Sequence, residues 1–118
     1  MKVTGINHLG LEVCDLERSR GFYRDVLGMR ELADEEGVRV FLLAGTDVLT
    51  LEAASGVTPP EGVHFGFLVQ SPQEIAQWKY VLRAHGVALD AEKRVERGWS
   101  IYFHDPDGYK IEILHVDL

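Results

Sequence analysis

The sequence is poor in cysteine, in positive charge and in long apolar runs. Cys14 is the only cysteine in 118 residues. No disulfide can form within the chain, and a lone thiol fits a reducing compartment, so the expected location is cytoplasmic. Lys+Arg number 12 against 19 Asp+Glu, a net charge of −7. Phosphate-backbone and anionic-bilayer binding both need a basic face, so neither nucleic acid nor a membrane surface is an expected partner. A small substrate is, and a small anionic one held locally by a metal is compatible with this charge. No window approaches 18 uncharged apolar residues, and the opening MKVTGINHLG lacks the apolar stretch of a signal peptide. Neither a membrane span nor a leader is expected. What is present is 46% hydrophobic and 26% charged residues, enough for one compact domain over 1–118.

Element signals run in a repeated order. Residues 3–13 alternate as a strand; Asp15 is an N-cap candidate; 16–27 places Leu16, Tyr23 and Leu27 on one helical face, and Gly28 stops it. Strand-like runs follow near 29–35, 38–44 and 48–53, then the linker ASGVTPPEG at 54–62. The order then recurs. A strand is predicted at 63–69. A helix opens at Ser71-Pro72-Gln73-Glu74, with cap, N1 proline and capping-box glutamate, and Gly86 ends it. Strands near 88–95, 99–104 and 109–115 complete the second unit, the last two joined by Asp105-Pro106-Asp107-Gly108. The chain thus reads as βαβββ twice, module 1 over about 1–55 and module 2 over about 62–118. NHLGLEV and VHFGFLV occupy matching places, each with a glycine two residues after its histidine.

Side chains alternate faces along a strand, so the apolar sets Leu9/Leu11/Val13, Leu49/Leu51, Phe65/Phe67, Ile101/Phe103 and Ile111/Ile113 should pack beneath the two helices. The opposite face then carries His8, Glu52, His64 and Glu112. Each module supplies a histidine early and a glutamate 44 or 48 residues later, which suggests that the four groups meet near a pseudo-two-fold axis. Two carboxylates brought together out of water repel, and a divalent cation removes both the repulsion and the desolvation problem. Imidazole with carboxylate suits Fe, Mn, Zn, Ni or Co, one ion per site, with open positions for substrate. Ser100, Tyr102 and His104 share the parity of this face. Tyr102 and Ser100 are candidates for substrate contact, Tyr102 and His104 for proton transfer, and Cys14 reads as a small buried residue.

These residues resemble the vicinal oxygen chelate superfamily, which includes glyoxalase I, extradiol dioxygenases, fosfomycin-resistance enzymes and bleomycin-resistance proteins. INHLGLEVCDLERSRGFYRDVLGMR at 6–30, VHFGFLV at 63–69 and SIYFHDPDGYKIEIL at 100–114 carry the likeness. The resemblance implies an α+β fold of paired βαβββ modules, a cupped mixed sheet with helices on its convex face, and a homodimer. It implies metal ligation at His8, His64 and Glu112, with Glu52 as the extra glutamate of glyoxalase I. A glyoxalase-like lyase or isomerase is the expected activity, with Glu52 or Glu112 as base when displaced from the metal. Extradiol cleavage ranks second, because Lys93, Arg94 and Val95 stand where that signature has a histidine. The fosfomycin-resistance type ranks third: Gly10 stands where thiol transferases carry a threonine, and the sequence stops at Leu118 before the region that supplies a substrate-binding arginine. Non-catalytic binding is the alternative from another class.

Overall fold

The structure, a computed structural model, describes residues 1–117; Leu118, the expected end of module 2, lies outside the described residues. The chain divides into two compact units, Met1–Val57 and Thr58 onward, with the boundary inside the expected linker.

Unit 1 holds β1 (His8–Val13), α1 (Leu16–Gly21), β2 (Arg30–Glu35), β3 (Arg39–Ala44) and β4 (Asp47–Ala53). Its sheet order is β1-β4-β3-β2, with β1 and β4 parallel and the other pairs antiparallel. The expected strand at 3–13 begins only at His8. Ladder pairing starts at His8 opposite Val48, and the preceding Val3 and Ile6 are exposed with no strand beside them. The helix expected over 16–27 is α1 followed by a π-helical turn, Phe22–Val26, in which the Leu27 N–H donates to the Phe22 carbonyl at 3.1 Å. Phe22 and Tyr23 are both buried there and meet edge to face, with ring centroids 5.1 Å apart. Asp15 caps α1 by accepting from the Arg18 N–H at 3.1 Å, as its position predicts. Cys14 is exposed rather than buried, because it falls on the polar parity after Val13.

Unit 2 repeats the plan with β5 (His64–Leu68), α2 (Pro72–Ala84), β6 (Ala91–Val95), β7 (Gly98–His104) and β8 (Lys110–Val116), in the order β5-β8-β7-β6. Gly86 follows α2 at φ 75°, a left-handed conformation that glycine adopts without steric cost. Glu74 closes the other end: its carboxylate accepts from the Gln70 and Ser71 backbone N–H groups at 2.6 and 3.2 Å. Glu74→Ala leaves both donors without this partner and is expected to cost about 1 kcal/mol. Urea unfolding should report a lower midpoint with an unchanged slope; an unmoved midpoint would show that water serves these donors equally well.

The parity reading holds in both sheets. Leu11, Val13, Leu49 and Leu51 are buried in unit 1, where α1 packs on β3 and β4; Ile101, Phe103, Ile111 and Ile113 are buried in unit 2, where α2 packs on β7 and β8. His8, Gly10, Glu12, His64, Gly66 and Leu68 are on the exposed face. No described helix is long and apolar enough to cross a membrane.

Candidate metal half-site

In unit 2, β5 lies parallel to β8 with His64 opposite Lys110 and Gly66 opposite Glu112. His64 and Glu112 are therefore diagonal neighbours on one face, one strand and two residues apart. With only a hydrogen at Gly66, where a Cβ would come within 3.1 Å of Leu114, nothing stands between them. His64 Nε2 lies 3.1 Å from Glu112 Oε1. Two donors bound at right angles about 2.1 Å from one ion stand about 3.0 Å apart. The observed separation and the imidazole–carboxylate chemistry both fit adjacent ligands of a divalent cation.

The surroundings fix the carboxylate. Ser100, on β7, donates its hydroxyl to Glu112 Oε2 at 2.5 Å, so its first contact is with a ligand candidate rather than with open space for substrate. Tyr102 stands directly opposite Glu112 in the β7–β8 ladder and meets the His64 ring at 6.0 Å between centroids. Burial, then the charge of Glu112 and a hydrogen bond to it, raise the Tyr102 pKa, and the phenol keeps its proton. His104 lies on the same face, opposite Lys110, with its Nδ1 paired to the Asp90 carboxylate. Asp90 is a partner that sequence reading passed over, because it lies before β6 and shares no motif with His104.

Unit 1 presents a single histidine. His8 Nδ1 lies 3.1 Å from Asn7 Oδ1. A hydrogen-bond partner at Nδ1 leaves Nε2 as the ring nitrogen open to a metal. The expected symmetry of the glutamates does not hold. His8 faces Val48 and Gly10 faces Thr50, so the place held by Glu112 in unit 2 belongs to Thr50 in unit 1. Glu52 sits four residues beyond Val48, about 13 Å along the strand from the level of His8. That is beyond the reach of an imidazole and a carboxylate to one ion. Glu52 instead lies 3.5 Å from the Arg39 guanidinium, opposite it on β3. The register therefore gives Glu52 no place beside His8 like that of Glu112 beside His64. Among the described residues no three His, Cys, Asp or Glu side chains form a group that could hold a metal ion; the assembled donors are the pair His64 and Glu112.

Comparison with known proteins is consistent across the chain. The family model of the Glyoxalase/Bleomycin resistance protein/Dioxygenase superfamily matches residues 5–113. A metallothiol transferase FosB of Lysinibacillus sphaericus is 31% identical over 121 aligned positions, spanning 95% of this chain and 82% of that protein. A glutathione transferase FosA of Serratia marcescens is 34% identical over 116 positions, 94% of this chain and 79% of that protein. Among solved structures, the fosfomycin resistance protein FosX of Listeria monocytogenes superimposes with a TM-score of 0.86 at 25% identity, covering 99% of this chain and 97% of that one. A lactoylglutathione lyase of Agrobacterium tumefaciens shares the fold at a TM-score of 0.82 and 24% identity, covering 98% and 96%. The fosfomycin-resistance proteins thus stand nearer in sequence than the expected ranking placed them. With two βαβββ units in the observed order and a family match over nearly its whole length, the chain belongs to the Glyoxalase/Bleomycin resistance protein/Dioxygenase superfamily.

Proposed function

We propose that this chain is a metal-dependent transferase of the fosfomycin-resistance type, a cytoplasmic homodimer that joins a small thiol to a small substrate bearing adjacent oxygens. His8, His64 and Glu112 are its metal ligands. The observation that carries the reading is the His64–Glu112 pair at 3.1 Å with Ser100 on the second carboxylate oxygen. The names of its relatives, metallothiol transferase and glutathione transferase, favour transfer over isomerisation. So does the position of Glu52, since the glyoxalase reading relied on it as a second glutamate ligand.

A divalent ion on these ligands supplies Lewis-acid polarisation of a substrate oxygen. The chain's own groups do the rest. Ser100 holds the Glu112 carboxylate, and Glu112 in turn orients His64. In the transfer step the thiol sulfur forms a C–S bond as a C–O bond breaks. The proton given up by the thiol is balanced by one delivered to the released oxygen. Tyr102, protonated and beside Glu112, stands where it can deliver that proton, and solvent restores it.

The test is product formation by the Mn²⁺-loaded protein with fosfomycin and a panel of thiols, cysteine and glutathione included. A C–S adduct seen by mass spectrometry is expected, and it should vanish in His8→Ala and His64→Ala. Turnover of the glutathione–methylglyoxal hemithioacetal with no adduct from any thiol would return the reading to the glyoxalase type. A Cβ at Gly10 would meet nothing within 4 Å, so Gly10→Thr, which restores the hydroxyl of the thiol transferases on the His8 face, is expected to fold and to raise adduct formation. A fall would show that the glycine serves a different substrate shape.

A further inference from the structure

Strand β8 has a histidine on each flank. Lys110 faces His64 on β5 and His104 on β7, so the three side chains share one level and one face of the sheet. Each histidine is the diagonal neighbour of Glu112, one strand and two residues away. Their partners differ. His64 Nε2 meets Glu112 at 3.1 Å, whereas His104 presents Nδ1 to the Asp90 carboxylate. Two strand spacings, about 10 Å, separate the histidines. His104 thus stands beside the ligand pair without belonging to it.

Asp90 is fixed by its backbone, whose N–H donates to the Tyr102 carbonyl at 2.7 Å just before β6. With a carboxylate as acceptor at Nδ1, Nε2 is the ring nitrogen left open to a substrate proton. A base oriented by a third group is the arrangement that activates nucleophiles in many unrelated sites. Stability does not account for the pair. Both side chains are about half-exposed, and ion pairs at such exposure contribute little. The titratable and charged groups facing His104 are Asp90 from the segment before β6, Lys110 from β8 and, beyond it, His64 from β5. Tyr102 lies two residues away on the same strand, and Asp105, the next residue, is buried.

We infer that His104, oriented by Asp90, is the general base that takes the proton of the attacking thiol. The S–H bond breaks, its proton passes to Nε2 of His104, and the sulfur electron pair forms the C–S bond as the C–O bond breaks. The released oxygen takes its proton from Tyr102, and the proton on His104 returns to Tyr102 through solvent, so none is gained or lost. The spacing suits this division of labour: about 10 Å holds a substrate at His64 and Glu112 and a sulfur beside His104, each in contact with its partner. This deepens the transferase reading and rests on it for the identity of the nucleophile.

The experiment has two arms. In the first, kcat/KM for adduct formation from cysteine and fosfomycin is followed against pH in Mn²⁺-loaded wild type, His104→Gln and Asp90→Asn. At neutral pH the His104→Gln value should fall by about 100-fold or more. It should then climb by about tenfold per pH unit toward the thiol's own ionisation near about 8.5, while wild type levels off at lower pH. Asp90→Asn should lose less, since it removes only the orienting partner. Mn²⁺ affinity should be unchanged in both variants. A rate and pH profile equal to wild type in His104→Gln overturns the base and leaves the transferase reading standing. A fall that is uniform across pH, or a loss of Mn²⁺ affinity, overturns it as well, making His104 a structural residue or a ligand. In the second arm, nitrogen NMR of the histidine rings, with His104 assigned by its loss in His104→Gln, follows saturation with cysteine and with serine, with and without Zn²⁺. Cysteine should place a proton on Nε2 of His104 and serine should not. If no thiol gives an adduct, the transferase reading fails and this arm decides: thiol-dependent protonation supports the base, and its absence overturns it.

Discussion

Glu112→Gln is expected to reduce Mn²⁺ uptake to background and abolish thiol transfer, while Glu52→Gln leaves both within about twofold of wild type. The first substitution preserves size and the capacity to accept from Ser100, so the fold has no reason to change. What disappears is the anionic oxygen 3.1 Å from His64 Nε2, the one charge that the ligand pair contributes against a divalent cation. Loss of a residue that merely orients a ligand costs about 10–100-fold in metal affinity; loss of the charged ligand itself should exceed that. Ser100→Ala, which frees the second carboxylate oxygen without discharging it, belongs in the 10–100-fold range. Glu52 faces Glu12 and lies beside Arg39, away from the level of His8, and its neutralisation touches only a half-exposed ion pair. Mn²⁺ binding followed by electron paramagnetic resonance separates the cases. Retention of full Mn²⁺ affinity in Glu112→Gln would remove the metal reading, and a large loss in Glu52→Gln would reinstate the glyoxalase-like ligand set.

That pair of variants also marks where sequence reasoning stopped. Period-two alternation was enough to assign faces: His8 and His64 are exposed and Leu11, Val13, Ile111 and Ile113 are buried, as residue type and parity require. The helix stops at Gly28 and Gly86 and the capping residues Asp15 and Glu74 are local chemistry, readable from a few neighbouring residues. Register is not local. The separations from His8 to Glu52 and from His64 to Glu112 look alike in the sequence. Yet the connections between the paired strands differ in length, and Glu52 falls one step of the alternation beyond the place that Glu112 occupies. Parity survives such a shift, so it gives the face of Glu52 but not its neighbours across the ladder. Placing the glyoxalase-like reading above thiol transfer drew on Glu52 and also on Gly10, which stands where thiol transferases carry a threonine.

Phe103→Ala is expected to destabilise the protein by about 3–5 kcal/mol, against about 1.5 or less for Phe103→Leu. Phe103 is fully buried on β7, between Ile101 and the turn at Asp105, and its removal leaves a cavity that neighbouring strands, tied by ladder hydrogen bonds, cannot close. A domain of this size has about 5–15 kcal/mol in all, so the alanine variant should be partly unfolded near its physiological temperature. The same strand carries Ser100 and Tyr102 on its other face, which links this loss to the site. A ligand that binds only the folded form at about 100 times its Kd returns about 2.7 kcal/mol, so saturating Mn²⁺ should restore most of the lost stability in Phe103→Ala. The combined variant Phe103→Ala/Glu112→Gln should show no such recovery. Urea unfolding with and without Mn²⁺ measures both effects. A loss below about 1.5 kcal/mol would mean that the core repacks around the cavity, and recovery that persists without Glu112 would place the stabilising ion at some other group.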